Sequence, residues 1–340
     1  MDRKYDVITL GEILLRLSTP INGRLAQGDT LMKHLGGAEL NIASEIGQLG
    51  LKTAIISKIP HNLLAAFIKN QLNASRVSDA YLIEDTAGDS RIGIYYYEYG
   101  SHPRKPRVVY DRKHSSINSI SISDVPQTMF YNTRLFHTSG ITLGLGGRAQ
   151  EFAIECIKKF KEHGALISFD VNYRANLWSG EEARACITSI LPFVDIFFCS
   201  GDTARLTFGK TGTIREIQKS FCEEYPISVV ASTERTVITP KKHHFTSVIY
   251  SATEDAFYEE TPYQDIDVVD RIGSGDAYVS GALYGYLKHH DCRKMLEYGN
   301  AMAAIKHSVI GDMVFTDLDE INSIIAGHQD TSDFQPEMNR

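Results

Sequence analysis

The chain has 340 residues, 43% of them hydrophobic, and a formal net charge of −7, so a large core is possible and disorder is not expected. Basic residues gather in short runs such as Lys241-Lys242 and Arg104 to Arg107 and form no broad basic stretch, which speaks against a duplex nucleic-acid partner. No run of about 18 apolar residues exists to span a membrane, Met1–Lys4 has no signal-peptide character, and five scattered cysteines without a C-x-x-C pair predict reduced thiols in a cytoplasmic protein.

In chain order, residues 7–11 read as a buried strand, 41–49 as a helix, 53–57 as a strand and 63–72 as a helix. Residues 135–137 form another strand. From Ala149 the alternation is regular: helix 150–161, strand 165–170, helix 181–190, strand 196–199, helix 214–224, strand 228–231. Apolar strands between amphipathic helices predict an α/β fold, a three-layer αβα core with a mostly parallel sheet. Residues 12–35 and 91–113 break the rhythm with polar-alternating, β-prone sequence. They are expected to form a small antiparallel lid, with an edge extension of the main sheet as the alternative. One domain is expected over residues 1–328, followed by a polar, frayed tail over 329–340.

The most informative segment is Asp270-Arg-Ile-Gly273-Ser274-Gly275-Asp276, which runs into a small-residue apolar helix. Glycines around a serine let successive amides face one concavity, and the helix N-terminus behind them favours an anion. Asp276 beside that cradle is a candidate base, and the pair points to phosphoryl transfer to a hydroxyl. An ordinary helix-leading turn is the bland alternative.

Two other glycine motifs compete. Phe208-Gly209-Lys210-Thr211 ends like a phosphate loop, but Ala204 stands where that motif needs glycine. Gly144-Leu-Gly146-Gly-Arg-Ala149 fits a dinucleotide fingerprint, with Asp170 as its ribose-binding acid, although six residues separate it from the preceding strand. A dinucleotide-dependent oxidoreductase is therefore the rival function.

Gly36-Gly37 before a helix permits close approach of a ligand, and Asn41 can hydrogen-bond a hydroxyl. Asp170-Val-Asn172-Tyr-Arg174 ends a strand, where open α/β sheets bind ligands, and Arg174 suits a substrate carboxylate. Tyr95, Tyr97 and Tyr99 share one strand face, as do Tyr110 and Arg112 on another; in a lid these faces would close over a small polar substrate. Gly311-Asp312 follows a helix and is either a turn or a substrate contact.

Together Gly36-Gly37-x-x-x-Asn41, Tyr95, Tyr110-Asp-Arg112, Asp170-Val-Asn-Tyr-Arg174, Gly273-Ser-Gly-Asp276 and Gly311-Asp312 resemble the ribokinase-like (PfkB) sugar kinases over about residues 5–326. Arg112 and the Asn-Tyr-Arg element are similar to the subgroup that takes 2-keto-3-deoxygluconate, because a sugar acid brings a carboxylate. The resemblance implies an ATP-dependent kinase acting on the terminal hydroxyl of that sugar acid, with Asp276 as base and the Gly273, Ser274 and Gly275 amides as anion hole. By the same likeness Gly36, Gly37, Tyr95, Tyr110, Arg112, Arg174 and Asp312 would contact the sugar acid. Asn172, Ser200, Ser232, Arg235, Gly273, Gly275, Asn300 and Ala303 would line the nucleotide site. Mg²⁺ is implied, held through water and phosphate oxygens with no protein ligands assigned. Other ribose- or fructose-like substrates are the alternative within the family. Three elements depart from its pattern: Ser200-Gly201-Asp202-Thr203 replaces an Asn-x-x-Glu, Ser232–Thr236 replaces a Gly-x-x-Gly loop, and Arg271-Ile272 stands before the anion hole where many relatives have threonine and small residues. The tyrosine-rich lid is also the surface through which copies of the chain would form a homo-oligomer.

Overall fold

The computed structural model of the chain describes residues 3–329. The predicted tail lies outside the described residues apart from Gln329. Fourteen strands and ten helices follow in order among them. The first half contains β1 (Tyr5–Leu10), β2 (Leu14–Ser18), β3 (Met32–Gly36), α1 (Ala38–Gln48), β4 (Thr53–Pro60), α2 (Leu63–Ala74), β5 (Val77–Asp85), β6 (Gly93–Glu98), β7 (Arg107–Asp111), β8 (Thr133–Ser139), α3 (Gly140–Leu143) and α4 (Gly147–Glu162). The second contains β9 (Leu166–Asp170), α5 (Gly180–Ile190), β10 (Ile196–Phe198), α6 (Gly201–Phe208), α7 (Ile214–Glu224), β11 (Val229–Thr239), β12 (Lys242–Ser251), β13 (Ala256–Glu259), β14 (Tyr263–Asp267), α8 (Ser274–His289), α9 (Cys292–His307) and α10 (Leu318–Gln329).

The main sheet runs β13-β12-β11-β10-β9-β8-β1-β4-β5, with β14 added on β12; its central strands from β11 to β5 are parallel. Alternate residues of each strand face opposite layers. Ile8, Phe136, Ile167, Phe197 and Val230 pack under α4, α5 and α7, whereas Val7, Leu135, Ile196, Phe198 and Val229 pack under α1, α8 and α9. Two covered faces explain the uninterrupted apolar runs. The chain moves outward from β1 to β5 and then returns to β8 on the other side of β1. This reversal opens a crevice at the carboxyl ends of the strands, where ligands bind in such sheets.

A separate four-stranded sheet, ordered β3-β2-β6-β7, forms the lid at the two predicted segments. Its outer pairings are antiparallel, but β2 and β6 pair in parallel because the chain makes β4 and β5 of the main sheet between them. Leu15, Leu35 and Ile92 seat the back of the lid against Ile55 and Ile59.

The region after Ala231 differs from the expected loop. β11 continues to Thr239 and folds back as β12, and its second half is exposed. The β-branched residues Thr233, Thr236, Val237, Ile238 and Thr239 favour this extension.

Candidate active site

α1 and α8 lie side by side and meet in two rungs spaced one helical turn apart. Asn41 Nδ2 donates to Asp276 Oδ2 at 2.7 Å, and the Glu45 carboxyl lies 2.6 Å from Ser280 Oγ. The i, i+4 spacing in each helix sets both contacts on one face. Asn41 thus orients the Asp276 carboxylate through its Nδ2, and it also lines the cavity, with its Oδ1 lacking a partner among the described residues. Asp276 sits in the first turn of α8 and forms the floor of a cavity of about 660 Å³. Burial raises its pKa to about 6, helped by the Asp312 charge and opposed by the Asn41 hydrogen bond and by Arg174.

Gly273 has φ 84°, a left-handed conformation suited to glycine, and a Cβ there would collide with the Asp312 carbonyl. The Ser274 amide donates to the Arg271 carbonyl at 3.2 Å, whereas the amides of Gly273, Gly275 and Asp276 have no acceptor among the described residues. Of the amides expected in the cradle, those of Gly273 and Gly275 are thus free of acceptors, the Ser274 amide is engaged, and the Asp276 amide joins the free pair.

The cavity is lined from the ends of five parallel strands: Glu12 after β1, Ile141 after β8, Asp170–Arg174 at β9, Cys199, Ser200, Asp202 and Thr203 after β10, and Ala231, Thr233 and Arg235 on β11. The lid contributes Leu14, Tyr95, Val108, Tyr110 and Arg112. Tyr95 donates to Asp312, and its ring lies 5.8 Å from that of Tyr110. Tyr97 and Tyr99, expected to close over substrate, instead pack around the buried Arg16. Gly36 does not line the cavity itself. It is buried beneath it, and a side chain there would strike Asp312.

Four arginines reach the cavity. Arg112 pairs with Glu12, a residue the sequence reading passed over, and the Ser115 hydroxyl donates to the same carboxylate at 2.5 Å. The Arg112 Nε remains without a partner. Arg174, Arg235 and Arg271 have no carboxylate within salt-bridge reach among the described residues. Arg235 is held below its ordinary pKa, first by burial and then by the neighbouring Arg271 charge. Two close cations without a counter-charge suit an anion carrying several oxygens. Asp170 is raised to about 7 by burial and then by Asp276, while its Oδ1 accepts the Asn172 amide at 3.1 Å. Asn172 itself has φ 35°, backbone strain at the cavity wall.

Three nucleotide-site expectations are corrected. Ser232 is buried, donates to the Cys199 carbonyl at 2.7 Å and accepts from Gln218. Side chains alternate along β11, so Thr233 and Arg235 face the cavity and Ser232 faces away. Asn300 is buried in α9, accepting from Ser247 at 2.8 Å and donating to Glu260 at 2.6 Å, and Ala303 belongs to the core under the sheet. Neither lines the cavity; Phe245 and Tyr278, 5.9 Å apart, form the apolar wall on that side. Ser200 does reach the cavity while capping α6 through the Thr203 amide. The rival dinucleotide loop is set aside, because the helical turn α3 separates β8 from Gly144, and residues 144–149 do not line the cavity.

Behind Asp276, Glu45 is raised to about 8 by burial, against the Ser280 and Val314 hydrogen bonds. Ser280 Oγ also lies 2.8 Å from the Ala277 carbonyl. Its single proton can serve one acceptor, so a protonated Glu45 donating to Ser280 satisfies both. A raised acid stabilises the fold fully below its unfolded value near 4.5 and loses that contribution as pH climbs through about 8. Between pH 6 and 9 the Tm of the wild type is expected to fall several degrees further than that of Glu45→Gln, measured by thermal melts in matched buffers. Parallel curves would refute a neutral Glu45.

Residues 4–317 match the pfkB family of carbohydrate kinases. A 2-dehydro-3-deoxygalactonokinase of Haloferax volcanii is 29% identical over 95% of this chain and 97% of its own length. The crystal structure of a 2-dehydro-3-deoxygluconokinase from Thermotoga maritima superposes with a TM-score of 0.90 at 30% identity, covering 96% of this chain and all of the other. A PfkB family carbohydrate kinase from Listeria grayi gives 0.89 at 33% identity, over 94% of this chain and 99% of the other. With its glycine loop, crevice and lid in place, the chain belongs to the pfkB family of carbohydrate kinases.

Proposed function

We propose that the protein transfers the γ-phosphoryl group of ATP to the terminal hydroxyl of a 2-keto-3-deoxy sugar acid of the gluconate type. The observation that carries this is Asp276, held by Asn41 on the cavity floor beside amides that lack acceptors. Asp276 accepts the hydroxyl proton as the oxygen attacks phosphorus, and the adjacent amides stabilise charge on the transferred group. Arg235 and Arg271 are placed on the β11 side for the phosphates, and Ser200, Thr233 and Asn172 line that end with them. Arg174 and Arg112 take the substrate carboxylate, with Tyr110, Gly37 and Asp312 around the sugar chain.

Mg²⁺ fits this donor set as an ion held mainly by phosphate oxygens and water. No group of three His, Cys, Asp or Glu side chains is placed to cage one among the described residues, and Asp170 and Asp202 are cavity carboxylates its waters would meet. When bound it would neutralise negative charge on the phosphates. Residues up to 328 act as one kinase domain. The outer face of β7, where Val109 is exposed, supports association of two copies through the lid.

A coupled ADP-release assay across neutral sugars and sugar acids tests the assignment. Turnover is expected with 2-keto-3-deoxygluconate at a kcat/KM at least about tenfold above that of ribose or fructose, roughly the 1.4 kcal/mol of one added charge contact. Faster turnover of a neutral sugar would overturn it.

A further inference from the structure

Arg16 is the bulkiest side chain without exposed surface among the described residues, and no motif in the sequence announces it. It stands on lid strand β2, in register with Tyr95 of β6, yet its side chain does not line the cavity. A buried guanidinium requires nearby counter-charge. Two carboxylates from distant parts of the chain supply it. Arg16 Nη1 donates to Asp312 Oδ1 at 2.8 Å and Nη2 to Asp270 Oδ2 at 2.5 Å. The Tyr99 hydroxyl accepts from Nη2 at 3.1 Å, and the Tyr97 ring lies 4.5 Å from the guanidinium carbon. Burial alone would lower the Arg16 pKa, but Asp312 and Asp270 hold it above its ordinary value.

Both acids belong to the walls of the amide cradle. Asp270 Oδ1 accepts the Ile272 amide at 3.0 Å, and Oδ2 accepts the Gly311 amide at 3.2 Å. The Asp312 backbone abuts Gly273, and the second oxygen of its side chain accepts from Tyr95. The segment leading into Gly273 and the turn carrying Asp312 are thus joined through one lid side chain. We propose that Arg16 is a positioning residue for phosphoryl transfer: its guanidinium clamps Asp270 and Asp312 together and so fixes both walls of the cradle to the lid. The transfer geometry then depends on β2 being seated, although Arg16 never touches substrate. This role rests on the kinase function proposed above.

Lysine keeps the charge but cannot reach both carboxylates with a planar fork. Arg16→Lys and Asp270→Asn are each expected to lose about 100-fold in kcat, the scale of a 1 Å misplacement, with KM for ATP within about threefold of wild type. The substrate is whichever compound of the panel the wild type phosphorylates, so a wrong substrate and a wrong role for Arg16 give different results. The Arg16→Lys/Asp270→Asn double variant is expected to lose no more than the worse single one, because both break one clamp. Thermal melts accompany every assay. Folded single variants with kcat within threefold of wild type would overturn the proposal, as would fully additive losses in the double variant; Arg16→Met serves as a harsher check wherever it folds.

Discussion

Asp276→Asn is expected to lower kcat by about a thousandfold or more, with little change in KM for either substrate. Asparagine keeps the shape and can still accept from Asn41, so the first turn of α8 retains its packing; what disappears is the proposed proton acceptor. The wild-type kcat profile should carry an acid limb near pH 6, rising with pH as Asp276 ionises, because burial sets its pKa at about 6. Asp170, raised to about 7 partly by Asp276, is coupled to it, so the limb belongs to the pair. Asp170→Asn removes one like charge and should move the limb to lower pH. Steady-state kinetics between pH 5 and 9 decide the matter. An Asp276→Asn enzyme within tenfold of wild type at pH 8 would remove the base from the mechanism.

The parts of this site that depend on local chemistry were legible in the sequence. Gly273 needs a positive φ, and Asp276 follows in the first helical turn; both requirements leave marks within four residues. The alternating core was equally legible, since strands covered on two faces must be apolar throughout. Contacts between distant segments leave no such mark. Arg16 reads as one polar residue on a short strand, and only the folded chain brings it to Asp270 and Asp312. Glu12 likewise follows an ordinary strand end, and its partner is one hundred residues away. The differences on the nucleotide side have two causes. Treating residues after Ala231 as a loop hid the alternation of β11, which turns Ser232 inward and Arg235 toward the cavity. Asn300 and Ala303 are on a helix whose small residues serve packing: Gly281 and Gly285 of α8 have no room for side chains against the α9 backbone.

Arg174→Met is expected to raise KM for the sugar acid by about 100-fold and to change KM for a poor neutral sugar by less than about threefold. The magnitude follows from losing a charge-assisted, two-pronged contact worth about 1.5–3 kcal/mol. Arg174 is the cleaner of the two candidate carboxylate ligands. Its guanidinium is exposed at the cavity and, among the described residues, bonded only to the Tyr173 carbonyl at 3.1 Å, so truncation leaves no buried partner stranded. Arg112 is different. Removing it leaves the buried Glu12 with the Ser115 hydroxyl as its remaining side-chain partner among the described residues, so stability would fall while KM rises. Arg112→Lys, which preserves a charge for Glu12 but not a fork for the substrate, is the matching variant, with a smaller expected rise in KM of about tenfold. One consequence of removing Arg174 works against simple loss of function. Its charge lowers the Asp276 pKa, so the acid limb should shift upward in Arg174→Met while the plateau kcat at pH 8 and above stays within a few-fold of wild type. A variant that loses kcat on that plateau and keeps its KM would place Arg174 at the transferred phosphate instead of the substrate carboxylate.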